Sequence, residues 1–266
     1  MDIAELRKQP HLSVSSINSY IDCSLMYKFS RIDKLKPDFL SDNLVFGSCI
    51  HRILAEFNQE KMIGNILSSD EIENMFKTDW EKSAKDNPDI QYSKGNTYRM
   101  LLNQGVKMLQ EFMKRMPEND ATIVAIEEPF AMHIEGLDIP LIGVMDLVEE
   151  DEDGTLTITD YKTSKKSMAI KDVDSSFQLT VYYTAAKANG YADREINLKF
   201  DCLVKTQKPK FEQIYTERSG DHSAKAIKKI KQVWDGIQKG VFIPNDTSWR
   251  CHGCSYKSYC DEWFRK

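Results

Sequence analysis

The sequence predicts an α/β fold, a β-sheet with a crossover helix set behind a largely helical N-terminal part. Three observations carry that prediction. Apolar residues recur at helical spacing through the first 116 residues, the apolar period shortens to two in several later runs, and a helical pattern separates those runs into two groups. No repeat, low-complexity tract or linker interrupts the chain, so residues 1–266 read as one domain. Within it fall a helical part, 1–116, a sheet core, 117–240, and a tail, 241–266.

Each element follows from its own pattern. Ser13, Ser15 and Ser16 are N-cap candidates for a helix over 12–31 carrying Ile17, Tyr20, Ile21 and Leu25. After a loop with Pro37, a second helix over 44–61 has Ile50, Ile53, Leu54 and Phe57 as its stripe, with Gly47 and His51 near its start. Ile72, Met75, Phe76 and Trp80 mark a third. Tyr98, Leu101, Leu102, Leu109, Phe112, Met113 and Met116 mark a fourth that stops at Pro117. Strands are predicted over 122–133, over 141–148 and 155–163 as a hairpin, and over 196–204, where Ile196, Leu198, Phe200, Cys202 and Val204 alternate. A weaker strand, 211–216, is placed to pair with the last of these. A helix over 173–189 with Phe177, Val181, Thr184, Ala185 and Ala188 on one side makes the crossover. The last long helix, 223–239, buries Ala226, Ile227, Ile230, Val233, Trp234 and Ile237.

The hairpin holds the strongest functional signal. Alternation puts Leu156, Ile158, Asp160 and Lys162 on one face of its second strand. The turn sequence Asp151-Glu152-Asp153-Gly154, in a three- or five-residue loop, brings Asp146 across from Asp160. Ile142 and Val144 are expected on the same apolar face. Two facing carboxylates repel unless a cation lies between them, and a divalent metal is the simplest such cation. An exposed hairpin with a surface ion pair is the bland alternative.

Composition bounds the function. The chain is 41% hydrophobic and 29% charged, as in a soluble globular protein. No apolar run is as long as a membrane span, and the first ten residues are too polar for a secretory signal, so a cytoplasmic protein without membrane association is expected. A net charge of -5 argues against coating nucleic acid through bulk charge. It leaves room for a local basic groove, for which Lys162, Lys165, Lys166, Lys171, Lys205, Lys208, Lys210 and the lysines of the last helix are candidates.

Cys251, Cys254 and Cys260 form C-x2-C-x5-C, which is ligand spacing. Three thiolates need a fourth ligand, for which Cys23 and His252 compete, whereas Cys49 and Cys202 fall in patterned core segments. Spacing leaves open tetrahedral zinc and an iron-sulfur cluster.

Taken together, several segments resemble one family, the PD-(D/E)XK nucleases of the RecB-like and Cas4-like branch with an iron-sulfur cluster. Leu12-Ser13-x-Ser15-x-Ile17-x-Ser19-Tyr20-x-x-Cys23 is similar to that branch's first segment, and Gly47-x-x-x-His51 to its histidine motif. Glu127 with Phe130 resembles its acidic strand, with Glu128 as the competing acid. Gly143-Val144-Met145-Asp146 and Asp160-Tyr161-Lys162-Thr163 resemble the catalytic strands, and Gln178-x-x-x-Tyr182 the motif on the following helix. Asp160 stands where many relatives have Glu. The resemblance implies a restriction-endonuclease-like core, a mixed central sheet flanked by helices. It implies a 4Fe-4S cluster, with zinc as the lesser occupant, on Cys23, Cys251, Cys254 and Cys260, joining the N-terminal helix to the tail.

It further implies Mn2+ or Mg2+ held by His51, Asp146, Asp160 and the carbonyl of Tyr161, with Lys162, Gln178, Tyr182 and Glu127 completing the catalytic set. The implied substrate is DNA, as single strands or ends, in recombination, repair, CRISPR adaptation or phage DNA processing. Exonuclease action is favoured over endonuclease action. No G-x-x-x-x-G-K-[ST] motor motif is present, so the protein is expected to work alone or to borrow a helicase or a CRISPR or recombination protein as partner. The competing reading is an assembly or nucleic-acid-binding subunit that keeps fold and cluster without catalysis.

Overall fold

The computed structural model describes residues 3–116 and 121–265, so the expected helix stop at Pro117 lies outside the described residues. A short helix, α1 (Ile3–Leu6), precedes α2 (Val14–Asp22). Ser13 caps α2: its hydroxyl accepts from the Ser16 amide, and Ser16 Oγ accepts from the Ser13 amide. The single helix expected over 12–31 is broken at Cys23, whose backbone is extended, into α2, α3 (Ser24–Tyr27) and a π turn, Lys28–Ile32. Contacts with the tail cause the break. Ser24 Oγ accepts from the Ile243 amide at 2.6 Å, and the Leu25 amide donates to the Ile243 carbonyl at 3.3 Å.

Next come β1 (Leu40–Ser41) and α4 (Asp42–Met62), capped by Ser41. They are followed by α5 (Ser69–Ala84), β2 (Ile90–Gln91), which pairs in parallel with β1, and α6 (Tyr98–Arg115). Then follow β3 (Thr122–Met132), β4 (Leu141–Glu150) and β5 (Leu156–Ser164), antiparallel in sequence. The crossover from β5 leads to β6 (Ile196–Val204), which lies parallel to β5, and β7 (Lys210–Thr216) pairs antiparallel at the edge. The sheet is therefore mixed, in the order β3-β4-β5-β6-β7.

The crossover is two helices rather than one over 173–189: α7 (Ile170–Asp174) and α8 (Phe177–Ala188), the latter capped by Ser176. Arg218 explains the break. Its guanidinium donates to the carbonyls of Val173 and Ser176, satisfying at the junction groups that a continuous helix would have used internally. The chain closes with α9 (Gly220–Gln238), a 3-10 turn (Trp249–Gly253) and α10 (Lys257–Trp263). No helix among the described residues is long and apolar enough to cross a membrane.

Both faces of the sheet are covered. On one, Ile17, Leu179, Val181, Ala185, Ile230 and Val233 of α2, α8 and α9 pack on Leu156, Ile158, Leu198 and Phe200. On the other, Ile53, Phe57, Phe76, Trp80, Leu109 and Phe112 of α4, α5 and α6 pack on Leu147, Tyr161 and Leu203. Double coverage buries the polar alternates of β6 as well, so Lys199 and Asp201 are both 4% exposed. One facing prediction is corrected: Leu141, Met145 and Val148, not Ile142 and Val144, join Leu156 and Ile158. Pairing of β4 with β5 covers only Leu147–Glu150. Before it the strand has coiled, so its odd-numbered residues take the core face.

Candidate active site

The hairpin turn sets the register of the two aspartates. Asp151 Oδ1 accepts from the amides of Asp153 and Thr155, and Gly154 supplies the left-handed residue, φ 82°, that closes the five-residue connection. The ladder runs from Glu150 opposite Leu156 to Leu147 opposite Thr159, and the next rung would join Asp146 to Asp160. Pairing ends there. The Tyr161 amide donates to Asp146 Oδ2 at 2.8 Å, so a side chain occupies the place of a ladder carbonyl. Both acids are buried, Asp160 at 1% exposure and Asp146 at 8%.

Each carboxylate meets a basic group, one from α4 and one from its own strand. His51 Nδ1, from α4, lies 3.2 Å from Asp146 Oδ2, and Lys162 Nζ lies 2.5 Å from Asp160 Oδ2. Gln178 ties the second pair to α8: its Oε1 accepts from Lys162 Nζ at 2.8 Å, and its Nε2 donates to Asp160 Oδ1 at 2.5 Å and to Tyr182 Oη at 2.8 Å. Tyr182 Oη donates to Asp160 Oδ1 at 3.1 Å. The Lys162 ammonium also sits 5.1 Å above the Phe200 ring. Gln178 and Tyr182, four apart on α8, thus share one carboxylate oxygen.

Glu127 occupies the β3 position between the Ile126–Leu147 and Glu128–Met145 pairs, facing Asp146, with φ 50°. A positive φ is strained for glutamate. Although its side chain is open to solvent, its pKa is raised, by partial desolvation first and then by the charge of Asp146. Burial pushes the Asp160 carboxyl up; the Lys162 charge opposes this and the Asp146 charge adds to it. For His51 burial opposes the charged form most, but the hydrogen bond and charge of Asp146, with the charge of Asp160, outweigh it and raise the pKa. Tyr182 is held protonated well above the usual phenol range by burial and by Asp160.

The donor set fits a hard divalent cation. Asp160 Oδ2 is buried and takes no well-aligned hydrogen bond, its company being the Lys162 ammonium. Two carboxylates facing each other just past the last rung of the ladder, with an imidazole, offer oxygen-rich ligation. In the structure these groups satisfy one another in acid–base pairs. Among the described residues no three of His, Cys, Asp and Glu stand in closed metal-holding geometry.

Away from the sheet, Cys23, Cys251, Cys254 and Cys260 line one cavity with Leu25, Phe29 and Tyr256. All four are free thiols, half-buried. His252 lines the adjoining cleft with Lys94 and Arg250 but not the cavity that the four cysteines share. Three of the lysines proposed for a groove have partners of their own. Lys205 Nζ donates to Asn43 Oδ1 at 2.9 Å, Lys210 lies 3.7 Å from Glu212, and Lys229 caps the Phe177 ring at 4.8 Å. The pattern of the sequence gave no sign of Asn58, which donates to the Tyr161 hydroxyl, or of Arg218. Each is a polar residue whose partner is remote in sequence.

A family model described as the PD-(D/E)XK nuclease superfamily matches residues 11–261. The chain is 25% identical over 274 residues to the Gene 69 protein of Mycobacterium phage D29, covering 95% of this chain and 97% of that protein. It also resembles a crystal structure of a Eubacterium rectale protein provisionally named an exonuclease, with a TM-score of 0.55 and 15% identity over 91% of this chain and 87% of that one. At that identity the likeness is one of fold.

Proposed function

Since the chain belongs to the PD-(D/E)XK nuclease superfamily, we propose that it hydrolyses DNA phosphodiester bonds as a Mn2+- or Mg2+-dependent exonuclease acting on single strands or ends. The observation that carries this reading is the buried Asp160 carboxylate, opposite Asp146 in register and 2.5 Å from the Lys162 ammonium. Asp146, Asp160, His51 and the Tyr161 carbonyl hold one or two cations, which activate water and stabilise charge on the phosphoryl oxygens when bound. Lys162, an ammonium beside Asp160, orients the attacking water and offsets phosphate charge. Gln178 fixes both the Lys162 ammonium and Asp160 Oδ1, and Tyr182 donates to that same oxygen. Glu127 overlooks this pair from β3, where it orders water or a further cation.

The finer reading places the chain in the RecB-like and Cas4-like branch. Four cysteines lining one cavity support a 4Fe-4S cluster in a structural role, pinning the N-terminal helix to the tail. The name of the Eubacterium rectale neighbour supports exonuclease action. The setting is recombination, repair, CRISPR adaptation or phage DNA processing, with a helicase or recombination protein supplying the ends.

The test is cleavage of end-labelled single strands with Mn2+ by the native chain and by Asp160→Ala, beside a circular strand. The native chain is expected to degrade linear strands only, and the variant neither. Binding without cutting by the native chain would leave the subunit role, and a cut circle would make the enzyme an endonuclease.

A further inference from the structure

The Tyr161 side chain has no part in the chemistry above, yet it is 3% exposed on the face of the sheet opposite Gln178 and Tyr182. Its hydroxyl accepts a 2.9 Å hydrogen bond from Asn58 Nδ2, and Asn58 is itself 3% exposed. Asn58 lies two turns along α4 from His51, about 10 Å along the axis and on the same helix face. The Tyr161 ring stands edge-on to His51, centroids 6.3 Å apart at 89°, and the Tyr161 amide holds Asp146 Oδ2. Helix and strand are therefore tied at two levels, His51 to Asp146 and Asn58 to Tyr161. Behind the hydroxyl lies a buried ionic group: Lys199 Nζ is 3.2 Å from Asp201 Oδ2 and 4.0 Å from Glu149 Oε2, and Lys61 of α4 is 4.0 Å from Glu149 Oε1.

We propose that Asn58 is a positioning residue for the metal centre, fixing β5 against α4 through the Tyr161 hydroxyl and so setting the spacing of His51 from Asp146. The inference rests on the hydrolytic reading of that centre. Packing alone does not ask for this pair. A leucine and a phenylalanine would fill the same space without desolvating an amide and a phenol. What the polar pair adds is direction, because a hydrogen bond fixes helix against strand where apolar contact would let them slide.

The test uses the full chain with Asn58→Leu and Tyr161→Phe combined, which removes both polar partners and leaves neither unsatisfied. Four readouts are taken: the thermal melt, Mn2+ binding by calorimetry, kcat and KM on a labelled single strand, and amide exchange of residue 161 in metal-free protein. The expected result is a cooperative melt, Mn2+ affinity lower by about tenfold, a lower kcat with KM unchanged, and faster exchange of that amide. Native affinity and native kcat in a cooperatively melting double variant overturn the proposal. If the native chain itself takes up no Mn2+, the hydrolytic reading fails instead, and unchanged amide exchange then overturns the positioning role on its own. Should the double variant lose its cooperative melt, Tyr161→Phe, which keeps the ring, is judged on the same readouts.

Discussion

Asp160 and His51 show how far single residues depart from their ordinary chemistry once the fold surrounds them. The folded pKa of Asp160 is raised above the usual 3.8, so between that value and the raised one the native state binds more protons than the unfolded chain. Its contribution to the stability of metal-free protein is therefore complete at acid pH and is lost as pH climbs through that window. His51 acts in the same direction. Its folded pKa is raised above 6.5, so its contribution is complete below 6.5 and is lost as pH rises through the folded value. A cation must displace that proton, so Mn2+ affinity should rise by about tenfold per pH unit across the window and level off above it. Calorimetry in a pH series, with proton release measured alongside, checks this; affinity independent of pH would remove His51 from the ligand set. Asp160→Asn removes the burdened charge, and Lys162, 30% exposed at its side chain, turns to water. The metal-free variant should thus melt above the native chain near neutral pH while cleaving nothing. Lys162→Ala should keep Mn2+ binding and lose about 10²- to 10⁴-fold in kcat.

At the scale of elements, the strands that carry the two aspartates depend on a close approach between β3 and β4. Gly143 pairs with Phe130, and a Cβ at 143 would stand 2.4 Å from Phe130 Cζ. Phe130 in turn meets the Tyr182 ring edge-on at 6.0 Å. Gly143→Ala should therefore cost about 1 to 3 kcal/mol, measured by urea unfolding, and should lower kcat as Tyr182 shifts off Asp160; an unchanged unfolding midpoint would show that Phe130 moves freely. This glycine was legible before the fold through the resemblance of Gly143-Val144-Met145-Asp146 to a family motif, as were Gln178 and Tyr182. Asp160 and Lys162 were legible from the strand period as well. The breaks at Cys23 and between α7 and α8 were not legible. They follow from Ile243 and Arg218, partners remote in sequence, and no window of the local pattern contains both sides of such a contact. Lys199 and Asp201 escaped notice for a related reason: alternation marks one buried face, and helices cover both.

For the whole molecule, the question is what ties the tail to the first helices. Hydrogen bonds do part of it. Asn245 Nδ2 donates to the Asp22 carbonyl at 2.8 Å, Tyr20 Oη to the Val241 carbonyl at 2.7 Å, and Ser258 Oγ to Asp38 Oδ1 at 2.6 Å. With the Ile243 contacts and the exposed Arg250–Asp22 ion pair they form a seam of mostly exposed bonds, each contributing about 1 kcal/mol or less. A cluster on Cys23, Cys251, Cys254 and Cys260 would close a loop of about 230 residues and, by the chain-entropy estimate, contribute on the order of 5 kcal/mol. The proposed active site is formed by other elements, α4, β4, β5 and α8, so the two functions should separate. Cys23→Ser, purified without air, should lose the brown absorption of a 4Fe-4S protein and melt well below the native chain. It should still bind Mn2+ at the aspartates in the cold, as judged by calorimetry. A colourless native protein containing zinc would keep the staple and change its metal. A Cys23→Ser chain that melts like the native one would mean that the hydrogen-bonded seam holds the tail by itself.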